Sequence, residues 1–373
     1  MISPDRKKRR SGKSRAAVVA VLLMALVLTA AGCARSQQDG DGNGDSDPLR
    51  GLTLEQKVGQ LFLVGFEGTA VTPELQQLFT AVHPGGVILF GRNIEGEAQL
   101  ERLIQDLQGL ARADSGLPLF IAVDQEGGEV VRIGWLGDGT PQGQVESAAQ
   151  AYDLALARGR GLSGLGINLN LAPVLDMGQP GDFLTRYGRT FPGSTRQVGE
   201  LGASVISGQR DGGVFSSAKH FPGYGGITYD PENERLAVLP GLPVITQFQA
   251  AAEAGPEFVM TANVIYEDID PELPFTLSPT CISYLRTNLG GDYLVVSDDL
   301  ATAVLKQAYG LEGTVTRAAQ AGVDVLLVAG HEAGDAQAAF TALAAAVRSG
   351  TISEDEIDRR VSGILQLKEE LSP

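Results

Sequence analysis

Beyond residue 50 the chain alternates between two patterns. Short apolar runs recur at 61–66 (LFLVGF), 86–90 (GVILF), 118–123 (PLFIAV), 167–172 (INLNLA), 214–219 (VFSSAK), 257–262 (EFVMTA), 293–297 (YLVVS) and 324–329 (DVLLVA). Most are rich in β-branched residues and bounded by Gly, Pro or Asp, as strands buried on both faces are. Longer segments with helical spacing lie between them, such as 98–111 (AQLERLIQDLQGLA) and 336–348 (AQAAFTALAAAVR). Strand–helix alternation implies right-handed crossovers and a parallel sheet. Eight repeats in about 325 residues predict an α/β fold, a single (β/α)8 TIM-type barrel over residues 49–373. An open doubly wound sheet is the alternative.

The first 48 residues break this pattern. Residues 1–15 carry seven Lys and Arg, and residues 16–32 are apolar or small apart from one Thr. That apolar run is short for a membrane span, and a basic start with a small-residue exit reads as a secretory signal. An uncleaved membrane anchor is the alternative. Residues 28–33 (LTAAGC) resemble a bacterial lipoprotein processing box, with Ala30 where a larger aliphatic residue is usual. The resemblance implies a signal peptide over 1–32, cleavage before Cys33 and lipid on its thiol. Residues 33–48 then form a lipidated, polar, Gly/Asp-rich tether. The protein is therefore expected in the cell envelope, outside the cytoplasm and anchored to the membrane by lipid.

Composition sharpens this in three places. With 43% apolar and 20% charged residues the chain is not a disordered one. The net charge is −16, and residues 1–32 hold seven bases and one acid, so the remainder is near −22. A nucleic-acid partner is not expected, because phosphate binding needs a basic surface. There are only two Cys, and Cys281, alone after processing, reads as a buried, inert thiol. No His pair at i, i+4, Cys cluster or calcium-loop pattern is present, so no metal site is expected. Nor is a nucleotide or other cofactor.

The chemistry gathers at the strand ends. Asp124 follows the third run, Asp176 the fourth, Lys219 and His220 end the fifth, Asn263 follows the sixth, Asp298 and Asp299 the seventh, and His331 the eighth. Barrel active sites sit on the loops after the strands, so this ring of polar groups points to a small-ligand pocket. A Lys-His pair at the end of an apolar strand is costly unless it has partners.

Seven stretches, in order, carry a resemblance. They are 51–66 (GLTLEQKVGQLFLVGF), 85–93 (GGVILFGRN), 123–128 (VDQEGG) with Arg132, 166–176 (GINLNLAPVLD), Arg189-Thr190-Phe191, 219–225 (KHFPGYG) and 297–300 (SDDL). Together they resemble the single-domain bacterial β-N-acetylglucosaminidases of glycoside hydrolase family 3, from about residue 50 to 370. The resemblance implies retaining hydrolysis of terminal β-N-acetylglucosaminides, with Asp298 as the nucleophile. It implies that Asp124, Arg132, Arg189, Lys219 and His220 hold the glycosyl unit. The expected substrate is a β-linked amino-sugar oligosaccharide, cell-wall muropeptide or chitin fragment. A glucoside or xyloside is left open. Asp299 is expected to cap the helix that follows Asp298.

One loop departs from the family. It reads KHFPGYGGITYDPENERLAVLP at 219–240. Tyr224 stands where the family has a second His, and Pro231-Glu232 where it has a Ser and the His that serves as acid/base. Asp230 stands at the place of the Asp that orients that His. The chain has only His83, His220 and His331. Smaller departures are Glu129, Asn263 and Thr302, where Arg, His and Met are common. Two readings follow. Glu232 takes the acid/base role, its pKa raised by burial and by Asp230, with Glu234 as the alternative. Or the protein binds sugar without turning it over. The loop holding Gly223, Gly225 and Gly226 is expected to be mobile and to close over bound sugar.

Overall fold

The computed structural model describes residues 49–371 except 138, 331 and 333. The expected signal peptide, Cys33, the tether up to residue 48 and His331 lie outside the described residues. Among these residues the strands, in chain order, are β1 (Phe62–Val64), β2 (Gly86–Leu89), β3 (Phe120–Val123), β4 (Leu169–Asn170), β5 (Phe215–Phe221), β6 (Ala237–Leu239), β7 (Phe258–Thr261), β8 (Val264–Tyr266), β9 (Leu294–Ser297) and β10 (Leu326–Val328). Eight of them form one parallel sheet in the order β10-β1-β2-β3-β4-β5-β7-β9. A parallel bridge between Val296 and Val325 joins β9 to β10 and closes the ring. The (β/α)8 barrel is thus the fold, and the open sheet is not.

Each barrel strand falls on one of the apolar runs, β5 extending two residues beyond its run to Phe221. The strands are almost wholly buried because side chains on one face fill the barrel and those on the other meet the helices. The helix Glu97–Ser115 buries Leu100, Leu103, Ile104, Leu107 and Ala111, a stripe at helical spacing. Thr53, Ser194 and Ser353 each open a helix with a capping box. At the strand ends the backbones pack closely. A Cβ on Gly65 would collide with the Ala329 carbonyl.

β4 is much shorter than its apolar run. The Asn168 side chain takes over the ladder there, accepting from the Ile121 N–H at 2.7 Å and donating to the Leu119 carbonyl at 2.9 Å. Pro173, which has no N–H, follows soon after. β6 and β8 were not foreseen. They pair in parallel outside the barrel and join the segment after β5 to the segment after β7. A second apolar cluster lies with them, formed by Val174, Leu184, Tyr224, Ile227, Ala237, Ala262, Val264 and Tyr266. The segment carrying Glu232 runs between this platform and the barrel mouth.

At the other end of the molecule the last helix, Glu354–Glu369, packs on the first, Leu54–Gln60. Lys57 pairs with Asp358 at 2.8 Å, and buried Lys368 donates to Gln60 Oε1 at 2.6 Å. No helix among the described residues is long and apolar enough to cross a membrane.

Candidate active site

The site begins with Lys219, near the end of β5 and almost fully buried. Its Nζ lies 2.7 Å from Asp124 Oδ1 and 2.7 Å from Glu126 Oε1. Arg189 clamps Glu126 with Nε and Nη2, both at 2.9 Å. Arg132 lies 3.5 Å from Asp124 and over the Phe90 ring. Burial alone would raise both carboxyls. Lys219 and Arg132 outweigh it at Asp124, and Arg189 and Lys219 hold Glu126 far below the usual carboxylate range. Burial pulls the Lys219 ammonium down, but Asp124 and Glu126 raise it further, so the cluster is fully ionised at neutral pH.

The VDQEGG segment folds to serve this cluster. Gln125 Oε1 accepts from the Arg132 and Ile133 N–H groups, and its Nε2 donates to the Ile133 carbonyl. Gly127 takes φ +100°, and a Cβ there would meet the Thr140 carbonyl. Glu126 was missing from the sequence-based set. Its only signal was its place between Gln125 and the Gly pair.

His220 is fixed by Asp176, whose Oδ2 lies 2.9 Å from both the His220 N–H and Nδ1. Asp176 Oδ1 accepts the Tyr224 N–H at 2.6 Å. Burial opposes ionisation of Asp176, but His220 and these donors keep it below its ordinary value. The ionised carboxylate places a proton on Nδ1 of His220.

Asp298 follows β9 and is buried. Its Oδ1 accepts the Asp299 N–H at 2.8 Å, and its Oδ2 accepts the Tyr224 hydroxyl at 2.7 Å. Tyr224 Oη in turn accepts the Asn263 N–H at 2.6 Å. Burial and the Asp298 charge push the phenol well above its ordinary value, so it stays a neutral donor. Tyr224 therefore takes part in the site, which the sequence marked only as a departure. Asp299 is not the helix cap. Its Oδ1 accepts the Ala301 and Ala329 N–H groups, both at 3.0 Å, while Thr302 caps the helix Ala303–Tyr309.

Glu232 reaches the mouth from the long loop after β5. Its N–H donates to Asp230 Oδ1 at 2.9 Å, and its carbonyl accepts the Val304 N–H at 3.2 Å. The half-buried carboxyl is pushed up to about 8, first by desolvation, then by the charges of Asp298, Asp299 and Asp230, with Arg189 opposing. Asp230 acts on Glu232 through its charge and through the Glu232 backbone. Its carboxylate accepts N–H groups of Glu232 and Asn233 and lies outside the sugar-sized cavity, so it shapes the loop. Glu234 is exposed, with its carboxylate on the Asp230 N–H at 3.0 Å. His83 lies away from the mouth, at the end of the helix Pro73–Val82, paired with Asp114 at 2.8 Å. Cys281 is a free, buried thiol pushed up to about 11 by desolvation.

A cavity of about 240 Å³ brings together Asp124, Glu126, Arg132, Arg189, Lys219, His220, Glu232 and Asp298. Cations and carboxylates around so small a space make charge-assisted hydrogen bonds to hydroxyl groups. A (β/α)8 barrel with this pocket at its strand ends is the architecture of a sugar-cleaving enzyme. The chain belongs to glycosyl hydrolase family 3, since residues 53–367 match the family's N-terminal domain. It is similar to a secreted glycosyl hydrolase of Arthroderma benhamiae, with 30% identity over 87% of this chain and 96% of the relative. It is also similar to a β-hexosaminidase of Alkalilimnicola ehrlichii, with 34% identity over 72% of this chain and 80% of the relative. A solved family 3 β-N-acetylglucosaminidase from Paenibacillus sp. FPU-7 superposes with a TM-score of 0.80 at 37% identity. That likeness covers 86% of this chain and 62% of the Paenibacillus chain.

Proposed function

We propose that the protein is a retaining β-glycosidase that removes terminal β-N-acetylglucosaminyl units, with Asp298 as nucleophile and Glu232 as acid/base. The observation that carries this reading is that Glu232 and Asp298 line one cavity, where burial and neighbouring carboxylates push the Glu232 carboxyl up to about 8. Asp124, Arg132, Arg189, Lys219 and His220 bind the sugar hydroxyls. Asp298 attacks the anomeric carbon while the bond to the leaving oxygen breaks, and Glu232 gives that oxygen its proton. Forming the glycosyl ester removes the Asp298 charge, the largest charge effect raising Glu232. Glu232 then becomes a weaker proton holder and a carboxylate able to take a proton from water. The water attacks the anomeric carbon, Asp298 leaves as carboxylate, and Glu232 is protonated again.

The preference for N-acetylglucosaminides rests on the activities named for the Alkalilimnicola and Paenibacillus relatives. An extracytoplasmic location is supported by the basic-apolar N-terminus and the secreted Arthroderma relative. Lipid on Cys33 would hold the enzyme at the membrane. Glu232→Ala tests the assignment of the acid. An alkyl glycoside needs protonation of its leaving group, so its turnover should fall by about 10²- to 10⁴-fold. A dinitrophenyl glycoside, whose leaving group needs no proton, should lose far less in its first step. Wild-type turnover of the alkyl substrate would remove Glu232 from the mechanism.

A further inference from the structure

Glu232 lines two cavities. One is the pocket that holds Asp298. The other, of about 350 Å³, is walled by Glu232, Asn233, Thr302, Lys306 and Glu332, with Ala301 and Ala303 leaving it roomy. A proton donor must touch the glycosidic oxygen, so a leaving group starts at Glu232 once the first pocket is filled. The second cavity opens at that point.

Its charges are lopsided. Lys306 Nζ is 3.2 Å from Glu332 Oε2 and 3.3 Å from Asp335 Oδ2. These carboxylates outweigh the partial burial of Lys306 and keep it a cation, but they also use its charge. Asp298 and Asp299 act on Glu232 from the other side. Arg189, the cation that opposes the shift of Glu232, is already clamped on Glu126. Among the described residues on its wall and those paired with them, Glu332 and Asp335 outnumber the one ammonium, Lys306.

We propose that this second cavity is the leaving-group subsite, and that it takes an uncharged sugar, the N-acetylglucosamine of a chitin fragment, in preference to a carboxylate-bearing sugar such as N-acetylmuramic acid. This rests on Glu232 being the acid. An anionic leaving group brings a like charge beside Glu332, which lines the cavity, and toward Asp335, paired with the lining Lys306, and such juxtaposition suppresses the wrong partner. Asn233 and Thr302 are the uncharged polar groups on the wall that suit sugar hydroxyls.

The test uses the full chain and two disaccharides, N,N′-diacetylchitobiose and N-acetylglucosaminyl-β-1,4-N-acetylmuramic acid. The ratio of their kcat/KM values is measured at low and high ionic strength, in the wild type, Glu332→Lys and Glu232→Ala. The expected ratio favours chitobiose by at least about tenfold at low salt and shrinks as salt screens the charges. Glu332→Lys, a change at an exposed side chain, should move the ratio several-fold toward the muramic acid substrate. Equal or faster cleavage of the muramic acid disaccharide by wild type overturns the charge selection, as does a ratio unmoved by Glu332→Lys. Wild-type cleavage of chitobiose by Glu232→Ala overturns the acid and this subsite together. Impaired Glu232→Ala with an inverted ratio leaves the acid standing and overturns only the selection.

Discussion

Tyr224 joins three parts of the site through one ring. Its N–H is on Asp176, its hydroxyl is on Asp298, and the ring edge meets His220 with centroids 5.3 Å apart. Without the hydroxyl, Asp298 Oδ2 loses the donor that holds it and that, in the proposed mechanism, would stabilise its charge as the glycosyl ester breaks. A hydrogen bond to a charged group is worth about 1.5–3 kcal/mol, roughly 10- to 150-fold in rate. Tyr224→Phe should lower kcat by that factor and slow the second step most, giving a burst of nitrophenol from an activated substrate. A kcat within twofold of wild type, without a burst, would leave the hydroxyl no part in the reaction. The need for partners at Lys219 and His220 was legible in the sequence, because a Lys-His pair at the end of an apolar strand requires them. The identity of one partner, Glu126, was not, since nothing in the spacing of Asp124 and Glu126 shows that one ammonium bridges both. The Asp298-Asp299 pair divides its labour through backbone geometry, which placed the cap one turn further on at Thr302.

At the scale of elements, the eight barrel strands were readable because burial on both faces makes most of them continuous apolar runs, with polar breaks in β4 and β5. The β6–β8 pair was not, because three residues flanked by loops give no period. That pair matters, since it anchors the segment that brings Glu232 to the mouth. The glycines of this loop suggested mobility, yet the structure ties the stretch 223–227 down. The Tyr224 N–H is held by Asp176, the Ile227 N–H by the Tyr224 carbonyl at 3.1 Å, and the Phe183 N–H by the Ile227 carbonyl at 2.7 Å. Hydrogen exchange should find the Tyr224 and Ile227 amides protected without sugar, and any ligand-dependent gain should fall within 228–236. Fast exchange at both amides, slowed only by sugar, would restore the mobile glycine loop.

Across the whole molecule, a barrel brings to one mouth residues that lie far apart in the chain, from Asp124 to Asp298. Motifs in order could name most of these residues but not their electrostatic sum. That sum would suit Glu232 to the proposed proton donation, because carboxylates from the end of β9 and from its own loop crowd it while Arg189 and Lys219 are spent on Glu126 and Asp124. The sequence showed that the family histidine was absent and that a carboxyl stood in its place. Only the folded arrangement shows the burial and the neighbouring carboxylates that push this carboxyl up to about 8. The pH dependence of kcat/KM on an alkyl β-N-acetylglucosaminide measures this directly, since it reports the acid of the free enzyme. Activity should fall tenfold per pH unit above about pH 8, where Glu232 loses its proton. The same limb should vanish in Glu232→Gln assayed with a dinitrophenyl glycoside. A limb that persists unchanged in that variant, or a wild-type profile that falls from near pH 4.5, would contradict the account.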